Sequence, residues 1–171
     1  MSRRRRILRG LSLLILALAA TNLAVGTPTK SLLHRHAPAF VRHDLQGHSV
    51  RLRAYRGKVV LLNFWATWCA PCLEELPHFE AWQTRYARNG FQAIAVSMDD
   101  TDAPVRALAS KLQLTIPVVM GDAPLGDRYG GILGLPITFL IDRRGMVVAR
   151  FEGATDLDAL ERQVCQLLAR H

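Results

Sequence analysis

Hydrophobic and polar positions change rhythm several times along the chain, and each change predicts an element. Residues 59–65, VVLLNFW, form a continuous β-branched and aromatic run, the pattern of a central strand buried on both faces. Residues 91–98, FQAIAVSM, repeat that pattern, and residues 70–88 between the two runs read as a helix. Ahead of them, short alternating runs near 39–42 and 49–52, separated by Asp44 and Gly47, predict a β-hairpin. Beyond residue 98, DDTDAP supplies an N-cap and a first-turn proline for a helix over roughly 103–112. IPVVM predicts a short strand or extended segment, and a brief helix is expected near 123–130. ITFLID and MVVARFE, joined by Arg143-Arg144-Gly145, predict a second hairpin. Thr155-x-x-Asp158 has the form of a capping box. It would open a last helix with Leu157, Leu160, Val164, Leu167 and Leu168 on one face. The order β-α-β-α-β-β-α behind an N-terminal hairpin predicts an α/β fold around one mixed sheet.

Charge changes the picture at one end only. The 171 residues carry a net +8, but six of the 22 basic residues and none of the 14 acidic ones lie in residues 1–30, leaving the body at +2. That excludes a basic nucleic-acid groove. The arginine cluster Arg3–Arg6 and Arg9 precedes an apolar stretch from Leu11 to Val25, interrupted by Ser12, Thr21 and Asn22. Residues 1–30 therefore read as a signal peptide, with Ala17-Leu18-Ala19 as a cleavage site, or as an uncleaved anchor spanning residues 7–26. RRRILR also loosely fits a twin-arginine signal. No cysteine in this leader offers a lipid attachment site. Either reading puts the folded domain, residues 37–171, in the periplasm or at the outer face of the inner membrane, where dithiols tend to be oxidised.

The candidate chemistry is Cys69-Ala70-Pro71-Cys72, between the first buried run and the helix. A thiol at a helix N-terminus meets unpaired backbone N–H groups and the positive end of the helix dipole, both of which favour thiolate. Cys69 is thus expected to be the exposed cysteine, with Cys72 turned under the first helical turn. A zinc clamp would need a second ligand pair, which the sequence does not offer. A structural disulfide closing so short a loop would restrict the unfolded chain little. The pair reads as a redox dithiol needing no metal and no cofactor beyond itself.

LLNFWATWCAPCLEELP, GLPITFLIDRRG and the hairpin APAFVRHDLQGHSVRLRAYRGKVV together resemble the exported thioredoxin-like proteins of the TlpA/ResA type, with the cytochrome c maturation thioredoxins (CcmG/DsbE) as close relatives. The resemblance covers roughly residues 37–155. It implies a thioredoxin fold and a dithiol reductase of exported proteins, such as apocytochrome c or copper-site proteins. It further implies that Cys69 attacks and Cys72 resolves, and that Pro136 is a cis-proline closing over the disulfide. Substrate would lie against Trp68, Ala70, Pro71 and the backbone of Leu135. A membrane thiol transporter would donate the electrons.

One departure from cytoplasmic thioredoxin is informative. Where that protein buries an aspartate, six residues before the first cysteine, this chain has Asn63, and an amide cannot accept the Cys72 proton. Glu75 lies three residues past Cys72 and so on the same helical face, whereas Glu74 points about a hundred degrees away. Glu75 is therefore the candidate proton acceptor. Pro77 is expected to kink the helix. Ala70-Pro71 places no cation between the cysteines, which makes the couple less oxidising and favours electron donation.

Other features read as scaffold. His34, His36, His43 and His48 match no standard metal-ligand spacing. Trp65, Phe79, Trp82 and Tyr86 read as core, and Cys165 as a small buried hydrophobe. Two alternatives to the reductase remain open. A peroxiredoxin-type thiol peroxidase would carry a threonine three residues before the attacking cysteine, whereas Thr67 is two before Cys69. A copper metallochaperone would usually have C-x-x-x-C with a distal histidine.

Overall fold

A computed structural model describes residues 31–170; the predicted leader lies outside these. Val41–His43 (β1) and Ser49–Arg51 (β2) form the expected antiparallel hairpin. The apolar run Val59–Trp65 is strand β3, followed by helix Ala70–Tyr86 (α1) and strand Phe91–Ser97 (β4). Then come helix Asp102–Lys111 (α2), strand Val118–Met120 (β5), helix Ala123–Arg128 (α3), strands Ile137–Ile141 (β6) and Val147–Glu152 (β7), and helix Leu157–Leu168 (α4). No helix among the described residues is long and apolar enough to cross a membrane.

Strands assemble in the order β5-β4-β3-β6-β7. β3 runs parallel to β4 and antiparallel to β6, so the sheet is mixed, as the sequence predicts. Every residue of β3 is buried because both faces are covered. Val59, Leu61 and Trp65 pack with Leu76, Phe79 and Trp82 of α1 and with Leu160 and Val164 of α4. Val60, Leu62 and Phe64 pack on the other face with Phe40, Val50, Leu125 and Tyr129. Each such side chain contributes about 1.5–3 kcal/mol on full burial. The N-terminal hairpin and α3 thus complete the second layer.

Two expectations need correction. The last helix is capped by Asp156, whose side chain accepts the Ala159 amide, and not by Thr155. Thr155 is engaged elsewhere, at the dithiol. Cys165 is exposed, because it lies at the margin of the α4 apolar stripe and turns outward while Val164 faces the core. α1 runs through Pro77 to Tyr86: Leu76, Phe79 and Trp82 hold it against the sheet on both sides of the proline.

Two further arrangements brace the sheet. The backbone of residues 34–37 bonds to Gly145 and Val147 beside β7, and Leu45 N–H donates to Val118 of β5, so one stretch of chain reaches both sheet edges. Arg143, between β6 and β7, donates to the carbonyls of Gly57, Asn89, Leu168 and Arg170. One guanidinium fork ties four segments together at the end of the sheet away from the cysteines.

Candidate active site

The site forms where β3 ends and α1 begins. Cys69 is the N-cap residue, in extended conformation, and Pro71 occupies the first turn, where its missing N–H costs nothing. Cys69 and Cys72 are joined in a disulfide with Cα atoms 5.3 Å apart. Cys69 is 5% exposed and Cys72 0%. The order matches the sequence expectation, but Cys69 is less open than expected: in the oxidised form it belongs to the apolar cluster that Leu135 packs against.

The loop entering the helix is held by Asp99, which by sequence is only part of the DDTDAP cap. Asp99 accepts the Thr67 backbone N–H at 2.9 Å, the Thr67 hydroxyl at 2.6 Å and the Ser97 hydroxyl at 2.8 Å. Trp65 C=O meanwhile accepts Met98 N–H at 2.7 Å. These bonds fix the chain two residues before Cys69 to the end of β4. A Ser-x-Asp closing a buried strand was the available signal, and the parallel β3–β4 pairing gives it meaning.

Leu135-Pro136 is a cis peptide bond, and Pro136 is buried, with its carbonyl accepting Gly153 N–H. Trp68 is 71% exposed beside the disulfide, and Ala70 is exposed with Pro71 half-buried. Leu133, two residues before Leu135, is 96% exposed. An isolated leucine in a glycine-rich loop carries no sequence pattern that would single it out.

Glu75 is buried at 3% exposure, one helical turn beyond Cys72. Its Oε1 accepts the Thr155 backbone N–H at 2.9 Å, while Oε2 is buried without a partner. Burial pushes the carboxyl above its ordinary range; the hydrogen bonds from Thr155 and the charge of His78 pull the other way. Asn63 is also buried. Its amide donates to the Thr138 hydroxyl at 2.9 Å across the β3–β6 pair, and its Oδ1 has no partner. Among the described residues, no group of three histidine, cysteine or carboxylate side chains is placed to hold a metal ion.

A dithiol at a helix N-terminus, with a raised buried carboxyl one turn along, can exchange disulfides and move the accompanying proton. Residues 33–150 match the family model described as AhpC/TSA. The chain is 34% identical over 175 residues to the thiol-disulfide oxidoreductase ResA of Geobacillus kaustophilus, covering 96% of this chain and 97% of that one. A thiol:disulfide interchange protein DsbE of Chlorobium tepidum superposes with a TM-score of 0.73 at 33% identity, over 78% of this chain and 96% of that one. The exposed lipoprotein thioredoxin Etrx1 of Streptococcus pneumoniae superposes at 0.67 and 26% identity, over 76% of this chain and all of that one (100%). The fold is that of thioredoxin.

Proposed function

Since the chain belongs to the AhpC/TSA family, and within it to the ResA-type thiol-disulfide oxidoreductases, we propose that it works outside the cytoplasm as a reductase of disulfides in exported proteins. The observation that carries this reading is the buried Glu75 carboxyl, with Oε2 unpartnered, one turn from the Cys69–Cys72 disulfide.

In the reduced protein, Cys69 thiolate at the helix N-terminus attacks one sulfur of a substrate disulfide. A mixed disulfide forms on Cys69, and the first substrate thiolate leaves. Cys72 then gives its proton to Glu75 and attacks the Cys69 sulfur. The Cys69–Cys72 disulfide forms, the second substrate thiolate departs, and it takes up a proton. Two electrons pass from the dithiol to the substrate. Cys72 is buried and must lose its proton before it attacks, so the step needs a base; Glu75, one turn away with its carboxyl raised above the ordinary range, is placed to take it. The absence of a cation at Ala70-Pro71 favours reduction over oxidation.

Substrate is taken to lie across Trp68, Ala70, Pro71 and the Leu135 backbone, with Pro136 closing the groove. Apocytochrome c and copper-site proteins are the substrate classes that the ResA/DsbE resemblance suggests. The arginine-led apolar leader supports export, with residues 7–26 as the span if it is not removed, and Etrx1 is itself named an exposed lipoprotein. NADPH cannot reach that side, so a membrane thiol transporter supplies the electrons.

The AhpC/TSA match raises the peroxidase reading. Against it, the Thr67 hydroxyl donates to Asp99 and sits two residues before Cys69. Dithiothreitol-driven insulin reduction, hydrogen peroxide turnover and copper titration separate the readings. Insulin reduction should be fast, and Glu75→Gln should slow release of the mixed disulfide while sparing its formation, with Glu74→Gln as the unaffected control. Peroxide turnover outpacing insulin reduction would overturn the reductase, and equal turnover by the two glutamine variants would remove Glu75 from the mechanism.

A further inference from the structure

The body's near balance of charge hides a strong polarity. Glu74, Asp100, Asp156 and Asp158 stand without an ion-pair partner among the described residues at the starts of α1, α2 and α4, at the dithiol end of the sheet, where Asp102 and Glu152 are paired with Arg106 and Arg150. Basic residues gather at the other end. Arg56 donates to Arg144 C=O and approaches His36, and Arg143 bonds the carbonyls of Gly57, Asn89 and Arg170. These bonds bring the segments carrying Arg35, Arg53, Arg56, Arg88, Arg144 and Arg170 together, with all six exposed. A pocket there is lined by His36, Arg53, Tyr55 and Arg56. The one acid in these segments is Asp142, which is mostly covered and already holds Arg144.

The chain also enters the domain at this end. His34 N–H donates to Val147 C=O and Ala37 N–H to Gly145 C=O, and the apolar leader lies just upstream. We propose that this basic end docks on the anionic headgroups of a lipid bilayer, with the dithiol facing away from it. The seven residues of β3 separate the two ends by about 20 Å. Headgroup phosphates attract surface arginines, whereas the acidic dithiol end is repelled, so orientation follows from charge alone. The membrane as partner rests on the export-and-anchor reading of residues 1–30; the charge polarity does not.

Full-length oxidised protein in a Cys165→Ser background, carrying a fluorophore at Ala54→Cys or at Asp100→Cys, tests this on vesicles with headgroup-attached quencher. Phosphatidylglycerol vesicles should quench the label at 54 and spare the label at 100. Phosphatidylcholine, or about 0.5 M salt, should abolish the difference. Arg35→Gln, Arg53→Gln and Arg88→Gln should each weaken the contact about fivefold while insulin reduction in solution is unchanged. Equal quenching at both positions, quenching at 54 independent of lipid charge, or displacement of position 54 by soluble DNA would overturn the lipid assignment. Flotation with phosphatidylcholine vesicles in high salt reports anchoring separately. If the chain fails to float while position 54 stays quenched on phosphatidylglycerol, the anchor reading falls and the docking surface stands.

Discussion

Glu75 and Thr155 meet at 2.9 Å, carboxylate Oε1 to backbone N–H, and this contact joins the first turns of α1 to the loop before α4. It is half of what a buried carboxylate needs, since Oε2 goes without a partner. Folding therefore shifts the carboxyl's pKa upward from its ordinary value.

That shift has a pH signature. Burial raises the folded pKa of Glu75 above its ordinary value of 4.5. The stability associated with this group is fully present below that value and is lost as pH rises through the raised one. Glu75→Gln should flatten the stability profile above pH 4.5 and stabilise the protein at neutral pH. Urea denaturation from about pH 4 to about pH 8 measures it. Parallel profiles for the two proteins would place the pH dependence in another group.

Asp99 should matter without touching substrate. Asp99→Ala orphans the Thr67 amide, the Thr67 hydroxyl and the Ser97 hydroxyl. Leaving such groups unsatisfied costs about 1–3 kcal/mol. The denaturation midpoint should fall accordingly, and exchange at Cys69 should slow as its loop loosens. An unchanged midpoint would mean that water replaces the carboxylate.

Accessibility sets the order of attack on the reduced dithiol. Cys69 should be alkylated before Cys72, and Cys72→Ala should accumulate mixed disulfides on Cys69. Mass spectrometry of a partly alkylated sample decides; label appearing first on Cys72 reverses the assigned roles. Cys165, being exposed, must be replaced or counted separately.

Trp68, adjacent to Cys69 in the chain, and Leu133, two residues before Leu135, present bare apolar surface. Trp68→Ala and Leu133→Ser should raise KM for a protein disulfide and leave reduction of a small disulfide such as oxidised glutathione unchanged. Stability should shift by no more than about 0.5 kcal/mol, as expected for exposed positions. Equal losses on both substrates would point to damage at the dithiol itself.

Arg143→Lys keeps the charge and loses the fork. A lysine cannot span the four carbonyls that Arg143 reaches, so the exchange should cost about 1.5–3 kcal/mol of stability. Insulin reduction per folded molecule should be unaffected, because these contacts lie at the far end of the sheet.

The buried strands, the helices and the dithiol were legible because each depends on short-range pattern. VVLLNFW has no polar face, so it had to be central, and it is strand β3 over those same seven residues. The place of Glu75 followed from helical spacing. Its partner Thr155 did not, since 80 residues separate the two and the local sequence offered a capping box instead. Asp156 competes for the same cap and takes it, which leaves the Thr155 amide for the carboxylate. Cys165 was misplaced for a related reason: one position along a helix turns a side chain by about a hundred degrees, from the core side of Val164 to solvent. Asp99 gains significance only once the parallel β3–β4 pairing brings it to Thr67, two residues before Cys69.

The stretch from His34 to Leu45 has a consequence for behaviour at high concentration. A mixed sheet of five strands has two open margins, each a ladder of unsatisfied amides and carbonyls on which another chain can template itself. Here β7 is met by residues 34–36 and β5 by residues 44–45. One early segment thus meets both margins, β7 at its first residue and β5 at Val118 and Val119. Cutting or displacing it would leave the dithiol chemistry untouched in principle, yet turn the domain into a seed for edge-to-edge stacking. Loss of solubility would then precede loss of redox activity.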